Sequence, residues 1–388
     1  MRIGIDATSW MNQRGFGRFT RNVISRLVDL DEGNEYVLFV DARTGVVADL
    51  PDRALRRSVA LRQTAARSAT ADSQRRPSDL LRLTRAVDPR QIDLFVFPSI
   101  YTYFPVVGVP TVVGIHDAIA DQFPELTMPT FRARAAWWAK ERLAILSARR
   151  VFTVSEESRR LIAERFALAE DAIGIVPEAP DDVFGPRTPE ELEAELAPLG
   201  LERGRYFVYA GGISPHKNIE TLLDAFAALR DERGQVPRLV LVGELRGDPY
   251  LSAAASVRAR TSELGLEQDV LLPGFVSDER LACLFAGALA AVLPSLAEGF
   301  GLPAVEAAAC GAPVILSDLP AHRESLGDGG LYFPPRDADA LSDRLGALLD
   351  DEELRHELAE RGRVNVARLS WDAGARELQA VLLNAARG

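Results

Sequence analysis

Two glutamates on either side of a glycine-containing loop are the residues of this sequence best suited to chemistry. They follow the apolar run Ala290–Leu293 and precede a helical pattern. The glycines allow the backbone to approach a ligand closely, and the unpaired amides at the start of a helix favour an anion such as a diphosphate. The residues assigned to this site are Glu298, Gly299, Phe300, Gly301, Leu302 and Glu306.

The two carboxylates must have a different role from the amides, because a phosphate would repel them. We expect Glu298, in the loop, and Glu306, in the first helical turn, to accept hydrogen bonds from neutral hydroxyls on either side of the diphosphate. One hydroxyl group would belong to a sugar and the other to a ribose. Pro303 is predicted at the first helical position, where its missing N–H has no cost.

Lys217 is predicted to bind the same anion. The run Tyr206–Ala210 predicts a strand, Gly211–Gly212 a turn, and Ser214 or Asn218 the N-cap of the next helix. A lysine beside a first helical turn opposes the helix dipole, and a bound anion would remove that conflict.

The first half of the chain offers weaker signals. Gly15–Gly17 lies between the first predicted strand and a helix predicted over Arg18–Leu30, and it lacks the third glycine of a dinucleotide fingerprint. His116 and Asp117 end the run Thr111–Ile115, at the edge of the sheet where ligands bind.

The sequence predicts no metal site and no cofactor. Its four histidines and two cysteines show no ligand spacing. The pairs Asp29–Asp31 and Asp337–Asp339 resemble the acidic pairs of metal-dependent transferases, but one ends a predicted helix and the other begins one. These positions indicate local capping.

Short β-branched or aromatic runs, six in each half of the chain, alternate with helical patterns. This alternation predicts α/β domains with parallel sheets covered by helices on both faces. Prolines and glycines between 177 and 189 mark a boundary between two doubly wound domains, 1–178 and 179–370, followed by a final helix, 371–388. Ligands are expected at the carboxyl ends of the strands, in a cleft between the domains.

Length and charge exclude several classes of function. The chain has 388 residues and is too long for one core. Its net charge of −11 argues against nucleic acid as a partner. No run of about 18–20 apolar residues would span a membrane. Because Cys283 and Cys310 cannot form a disulfide framework and the N-terminal residues predict a strand rather than a secretory signal, we expect a cytoplasmic protein, with peripheral membrane association left open.

Positive charge is concentrated in the first half of the chain. Residues 1–180 carry +3 and the remainder −14. Residues 53–90 hold ten arginines and three aspartates, which predicts either a flexible surface loop or a contact for an anionic acceptor or lipid headgroups. Trp137 and Trp138 lie among arginines within Thr130–Arg150; a buried Trp face is predicted, with an interfacial helix as the alternative.

The Glu-x7-Glu pattern around Gly-Phe-Gly-Leu-Pro resembles the signature of retaining GT-B glycosyltransferases of glycosyltransferase family four. Other segments that match the family in its usual order are residues 206–226, 239–243, 272–276 and 314–317, and more loosely 4–6, 15–17 and 116–117. The resemblance implies a GT-B fold, in which two Rossmann-like domains face each other across a cleft. Residues 1–178 would form the acceptor side, residues 179–370 would bind the donor, and the final helix would cross back onto the first domain.

The resemblance also implies roles for residues of both halves. Gly15–Gly17 would form a mobile loop over the donor, and His116 and Asp117 would contact the donor sugar. Backbone atoms beside Phe275 and Val276 would meet the nucleotide base.

In the second half, the resemblance places Lys217 on the donor diphosphate. Many members carry an arginine near this lysine, whereas this chain has Gly212 and His216 at the candidate positions. His216 is therefore either a supplementary phosphate donor or a turn residue. Glu298, Lys217 and His116 are the expected catalytic residues.

The expected function is that of a metal-independent retaining hexosyltransferase that uses a nucleoside diphosphate sugar. GDP-mannose is favoured over a UDP-sugar, because the His-Lys-Asn run resembles that of mannosyltransferases. The hydroxyl acceptor is open: a glycan, a lipid-linked glycan or a secondary metabolite. Two alternatives remain: a nucleotide-sugar epimerase or phosphorylase on the same fold, and a non-catalytic nucleotide-sugar-binding protein.

Overall fold

The computed structural model divides the chain into two units, each built around a parallel sheet. It describes residues 1–12, 15–43, 49–62, 75–128, 130–243 and 253–387. Unit 1 comprises Met1–Glu178 and Ser370–Gly388, and unit 2 comprises Ala179–Leu369. Each unit has its own cluster of buried apolar side chains.

The sheet of unit 1 has seven parallel strands within the described residues. They are β1 Arg2–Asp6, β2 Glu35–Asp41, β3 Leu55–Val59, β4 Leu94–Phe97, β5 Thr111–Gly114, β6 Ala148–Thr153 and β7 Ile173–Ile175. Their order is β3-β2-β1-β4-β5-β6-β7. The order reverses between β1 and β4, which makes this the topological switch point, where open α/β sheets bind ligands.

The sheet of unit 2 repeats this order with six parallel strands within the described residues. They are β8 Tyr206–Ala210, β9 Arg238–Val242, β10 Val270–Gly274, β11 Ala290–Leu293, β12 Val314–Ser317 and β13 Gly330–Phe333. The order is β10-β9-β8-β11-β12-β13, so the switch point lies between β8 and β11.

Helices flank both sheets. In chain order they are α1 Gly15–Leu30, α2 Pro77–Ala86, α3 Ile119–Gln122, α4 Pro124–Thr127, α5 Phe131–Ser147, α6 Glu156–Phe166, α7 Pro189–Leu196, α8 Ile219–Arg233, α9 Ala254–Glu263, α10 Asp278–Ala286, α11 Leu302–Ala309, α12 Pro320–Leu326, α13 Ala338–Asp350, α14 Glu352–Val366 and α15 Trp371–Arg387. The last of these belongs to unit 1 and packs against α1, where the rings of Phe19 and Trp371 are 6.1 Å apart. No helix within the described ranges is long and apolar enough to cross a membrane.

All twelve apolar runs predicted as strands are strands, but β3 was missed. It lies within residues 53–90, for which a flexible surface loop was one of two predictions, and the loop prediction is wrong for β3 and α2. The reason is that β3 is an edge strand paired with β2 alone, and among its residues only Val59 is buried. It therefore lacks the apolar pattern of the other strands. Residues 63–74 of this segment lie outside the described residues.

The prediction of a loop at Gly15–Gly17 is also wrong, because these residues form the first turn of α1. A Cβ on Gly17 would lie 2.1 Å from the carbonyl oxygen of Asn12. The chain before the helix thus packs directly on its first turn, and only glycine permits that approach.

Candidate functional site

The loops that follow β8 and β11 are joined by hydrogen bonds at the switch point of unit 2. Asn218 Nδ2 donates to the carbonyl oxygen of Pro294 at 3.0 Å. The backbone N–H of Leu296 donates to the carbonyl oxygen of His216 at 2.8 Å. Lys217 lies between His216 and Asn218, so these two hydrogen bonds hold it beside the loop that follows β11.

Lys217 and Glu298 form an ion pair that the sequence did not predict. Lys217 Nζ lies 2.6 Å from Glu298 Oε1, and the two side chains are 17% and 8% exposed. Ser295 Oγ donates to the same carboxylate oxygen at 2.6 Å. Burial disfavours the charged form of Glu298, but the Lys217 ammonium, His322 and these hydrogen bonds outweigh it and lower its pKa to about 2. The carboxylate is therefore ionised at neutral pH and cannot serve as a proton donor.

Gly301 is the N-cap of α11 and adopts a left-handed backbone conformation, with φ of +92°. Because this turn is left-handed, α11 begins at Leu302, one residue earlier than predicted. Pro303 is therefore at the second helical position, and Glu306, which is 1% exposed, lies in the second turn. The predictions of the first position and the first turn are wrong. Pro303 has no N–H, and the N–H of Ala304 donates to the carbonyl oxygen of Gly301 at 2.9 Å. The N–H groups of Gly301 and Leu302 are therefore the ones at this helix start that suit an anion.

His322 is a candidate that the sequence analysis missed. Its side chain is fully buried, and Nδ1 donates to the carbonyl oxygen of Ser317 at 2.8 Å. Its Nε2 has no hydrogen-bond partner in the described part of the chain, and a Cβ on Gly301 would lie 3.3 Å from this atom. Burial lowers the pKa of His322, although the negative charge of Glu298 opposes the shift. The sequence feature that could have identified His322 is its position after β12, which is the neighbour of β11 in the sheet.

The other residues predicted to bind the donor lie in two places in unit 2. Gly212 accepts a hydrogen bond from a buried tyrosine hydroxyl at 2.7 Å, and His216 Nδ1 lies 3.3 Å from Ser214 Oγ in the same loop. Phe275, which is 57% exposed, and buried Val276 follow β10. Since β9 separates β10 from β8, these last two residues are two strands away from the loop of Lys217.

In unit 1, His116 is a neutral side chain with a fixed tautomer. Its Nε2 donates to the carbonyl oxygen of Pro98 at 2.8 Å. Burial lowers its pKa to about 4, and the bond to Pro98 offsets only part of that shift. Because Nε2 carries the proton, Nδ1 is the acceptor of the ring. Asp117 has a local role, since its Oδ1 accepts the backbone N–H of Ile119 at 2.9 Å.

The acidic pairs have the local roles that the sequence indicated. Asp337 Oδ1 accepts the backbone N–H of Ala340 at 2.9 Å and caps α13. Asp31 accepts hydrogen bonds from Gly33, Asn34 and Tyr36. Among the described residues, no group of three or more His, Cys, Asp or Glu side chains is arranged to hold a metal ion.

Two family models match the chain, one on each half. The model of Glycosyltransferase Family 4 matches residues 14–182. The model of Glycosyl transferases group 1 matches residues 193–365. The first match falls almost entirely in unit 1 and the second in unit 2.

Individual relatives and one solved structure agree with these matches. The chain is 34% identical over 227 residues to O-antigen chain mannosyltransferase B of Escherichia coli, covering 58% of each protein. It is 32% identical over 292 residues to MMP alpha-(1->4)-mannosyltransferase of Mycolicibacterium hassiacum, covering 71% of this chain and 65% of that protein. The alignments thus span less than two thirds of these relatives. The structure of HepE from Anabaena in complex with UDP-glucose aligns with a TM-score of 0.75 over 99% of both chains, at 16% identity.

Proposed function

Since the chain belongs to the GT-B glycosyltransferases of group 1 and family 4, we propose that it moves a sugar from a nucleoside diphosphate sugar to an alcohol, with retention of the anomeric configuration. One observation carries this proposal. Lys217, ionised Glu298 and the start of α11 lie together at the switch point of unit 2. A cation, backbone N–H groups at a helix start and a fixed carboxylate are the groups that a sugar diphosphate requires.

In this proposal the donor diphosphate binds Lys217 and the backbone N–H groups of Gly301 and Leu302 at the start of α11. An ammonium has three N–H donors, so the ion pair with Glu298 leaves donors for phosphate oxygens. The diphosphate gains negative charge as the glycosidic bond breaks, and these preorganised groups stabilise that charge in the transition state. The acceptor then attacks on the face that the diphosphate leaves, and a phosphate oxygen takes the proton of its hydroxyl. We expect EDTA to leave the rate unchanged.

The carboxylate of Glu298 is proposed to orient sugar hydroxyls. Its low pKa keeps it an acceptor across the working pH range. His116 is proposed to accept a hydroxyl through Nδ1, since its Nε2 proton is already donated to Pro98. Neither residue is proposed to form a covalent intermediate.

Glu306 is proposed to accept hydrogen bonds from the ribose hydroxyls of the nucleotide. If so, Glu306→Ala weakens the binding of UDP or GDP by about 1–3 kcal/mol, the scale of a lost hydrogen bond to a charged group. Isothermal titration with the bare nucleotide measures this effect. Glu353→Ala, at an exposed position of α14, is the matched control. Unchanged affinity in Glu306→Ala would reject the assignment.

For the donor we propose GDP-mannose ahead of UDP-sugars, with support from the names of the two mannosyltransferase relatives. A thermal-shift screen of nucleotide sugars tests the choice, because a ligand at about 100 times its dissociation constant adds about 2.7 kcal/mol of stability. We expect GDP-mannose to raise the melting temperature most. A larger rise with UDP-glucose would transfer the proposal to that donor.

Two rival functions give different results in the same assays. An epimerase converts its nucleotide sugar without an acceptor, and a phosphorylase depends on inorganic phosphate. A non-catalytic binder shows the thermal shift with no turnover. The proposed transferase consumes donor slowly in water and faster when a hydroxyl acceptor, a glycan, a lipid-linked glycan or a secondary metabolite, is supplied.

A further inference from the structure

The two lysines of the chain lie at the switch points of its two sheets. Of 45 lysine and arginine residues, only Lys140 and Lys217 are lysines. Lys140, on α5, donates to the carbonyl oxygen of Tyr101 at 3.0 Å. Tyr101 belongs to the short helical turn Ile100–Thr102, which follows β4. Lys140 is thus held beside the switch point of unit 1, as Lys217 is held beside that of unit 2.

Arg75 lies beside the neighbouring strand of the same switch point. Its Nη2 donates to Thr8 Oγ1 at 2.6 Å, and Thr8 follows β1, which pairs with β4. Arg75 is only 8% exposed, yet its Nε and Nη1 have no hydrogen-bond partner in the described part of the chain. Two buried guanidinium donors without partners are costly unless a ligand supplies the acceptors.

Arg75 and Lys140 repel each other, although carboxylates lie near both cations. Burial lowers the pKa of Lys140 to about 7, and repulsion by Arg75 adds to the shift while Glu141 opposes it. Buried Asp6 attracts Arg75 most, followed by Asp79 and Asp41. Each carboxylate already accepts a hydrogen bond from another residue: Asp6 from Thr8, Asp79 from Arg62 and Asp41 from Arg43. A bound anion would relieve the repulsion between the two cations.

We propose that Arg75 and Lys140 bind an anionic group, a phosphate or a carboxylate, that is carried by the acceptor. This inference rests on the proposed function, which supplies an acceptor, and it adds the chemical class of that acceptor. The ring of Trp137, 4.8 Å from Lys140 Nζ and 5.3 Å from the ring of Tyr101, forms an aromatic wall beside the anion.

The test is a titration with inorganic phosphate, followed by tryptophan fluorescence, in the presence of saturating UDP or GDP so that the Lys217 site is occupied. We expect Lys140→Gln to weaken phosphate binding about tenfold or more. Arg142→Gln, two residues along α5 and exposed, is the matched control and binds phosphate like the wild type. Acetate in place of phosphate shows whether the site takes a carboxylate.

Phosphate binding that is equal in wild type and Lys140→Gln, or absent from the wild type, overturns this inference. Lys140→Met provides a second variant if the first does not fold. The nucleotide titration is a separate readout. Failure of nucleotide binding would contradict the proposed function, whereas failure of phosphate binding alone would leave it standing.

A second inference comes from the outward face of α5, which carries large apolar side chains in water. Phe131 and Leu146 are 83% and 82% exposed, the highest values among large apolar side chains in the described residues. Trp138 and Leu143 are 54% and 53% exposed. Positions 131, 138 and 146 recur at helical spacing, so these side chains lie on one face. The opposite face is fixed in the core by buried Trp137 and Ala144 and by Glu141.

Arginines surround this apolar face. Arg132, Arg134 and Arg142 lie on α5 and are exposed, as are Arg149 and Arg150 directly after it. The acidic residue of α5, Glu141, is 2% exposed and lies near Arg165 on the buried side. The face therefore combines apolar anchors with positive charge, although the whole chain carries −11.

We infer that this face binds the surface of an anionic lipid membrane. Exposed Phe, Trp and Leu enter the interface while arginines contact acidic headgroups. A second copy of the chain fits less well, because a twofold contact would bring the same arginines together. The predicted buried Trp face holds for Trp137 alone, which packs inside, whereas Trp138 faces outward.

Vesicle sedimentation tests this surface with the full chain. We expect binding to vesicles of phosphatidylglycerol and phosphatidylcholine in equal parts, little binding to phosphatidylcholine alone, and weaker binding at high salt. The double variant Phe131→Ser and Leu146→Ser should lower the partition coefficient about tenfold or more. Val364→Ser, which removes an apolar side chain that is 60% exposed in unit 2, is the control. Undiminished binding of the double variant, or self-association through this face without vesicle binding, overturns the inference.

Discussion

At the scale of single residues, Lys217 has two tasks. It neutralises a carboxylate that is 8% exposed and it retains N–H donors for a ligand. Removing it would leave Glu298 as a buried charge without its main partner, which would repel a diphosphate. One substitution therefore acts on both the leaving group and the surrounding charge.

We predict that Lys217→Ala lowers kcat by about 10²–10³, the usual effect of losing one preorganised donor to a developing anion. This corresponds to about 3–4 kcal/mol of barrier. Steady-state kinetics with saturating donor measures the loss. Arg203→Ala, an exposed cation of unit 2, should retain wild-type kcat. A Lys217→Ala enzyme with normal kcat would remove the lysine from the mechanism.

The ion pair also predicts how stability depends on pH. The pKa of Glu298 is about 2 in the folded protein, below its ordinary value of 4.5. Its contribution to the free energy of unfolding is therefore complete above pH 4.5 and decreases as the pH falls toward 2. Urea unfolding across this range should show a shallower acid decline in Glu298→Gln than in the wild type. Identical slopes in the two proteins would contradict the ion pair.

At the scale of elements, the start of α11 depends on a glycine. Alanine at position 301 would adopt an unfavourable positive φ and place its Cβ 2.9 Å from a ring carbon of His322. We predict that Gly301→Ala lowers the free energy of unfolding by about 1–3 kcal/mol and weakens nucleotide binding. Gly185→Ala, where a Cβ would meet open space, should be nearly neutral. Urea denaturation of both variants makes the comparison, and equal stabilities would show that the turn tolerates a side chain.

The sequence predicted elements well where a local pattern exists. Central strands such as β8 and β11 are continuous apolar runs, because parallel strands are buried on both faces. The edge strand β3 was missed because arginines face solvent on it. The helix starts at Gly15 and Leu302 were not predicted. The first depends on the close packing of the preceding chain on Gly17, and the second on the left-handed conformation of Gly301. Helical periodicity in the sequence reports neither feature.

At the scale of the whole molecule, strand order decides which residues meet. Glu298 and Glu306 were identified from their spacing within one loop and helix. The contact between Lys217 and Glu298 spans 81 residues and exists because β8 pairs with β11. Local patterns predict strands but do not specify their pairing. The positions of His322, Arg75 and Lys140 at these sheet edges could not be predicted for the same reason.

Retaining transfer from a nucleoside diphosphate sugar can be followed by time-resolved proton NMR of the anomeric region. The enzyme is incubated with the nucleotide sugar selected by the thermal-shift screen, and the first product is observed before mutarotation, with water or an added alcohol as acceptor. We predict that the anomeric proton of this product has the coupling of the donor configuration, and that Lys217→Ala forms the product much more slowly. An inverted first product, or no consumption of any nucleotide sugar that binds, would contradict this prediction.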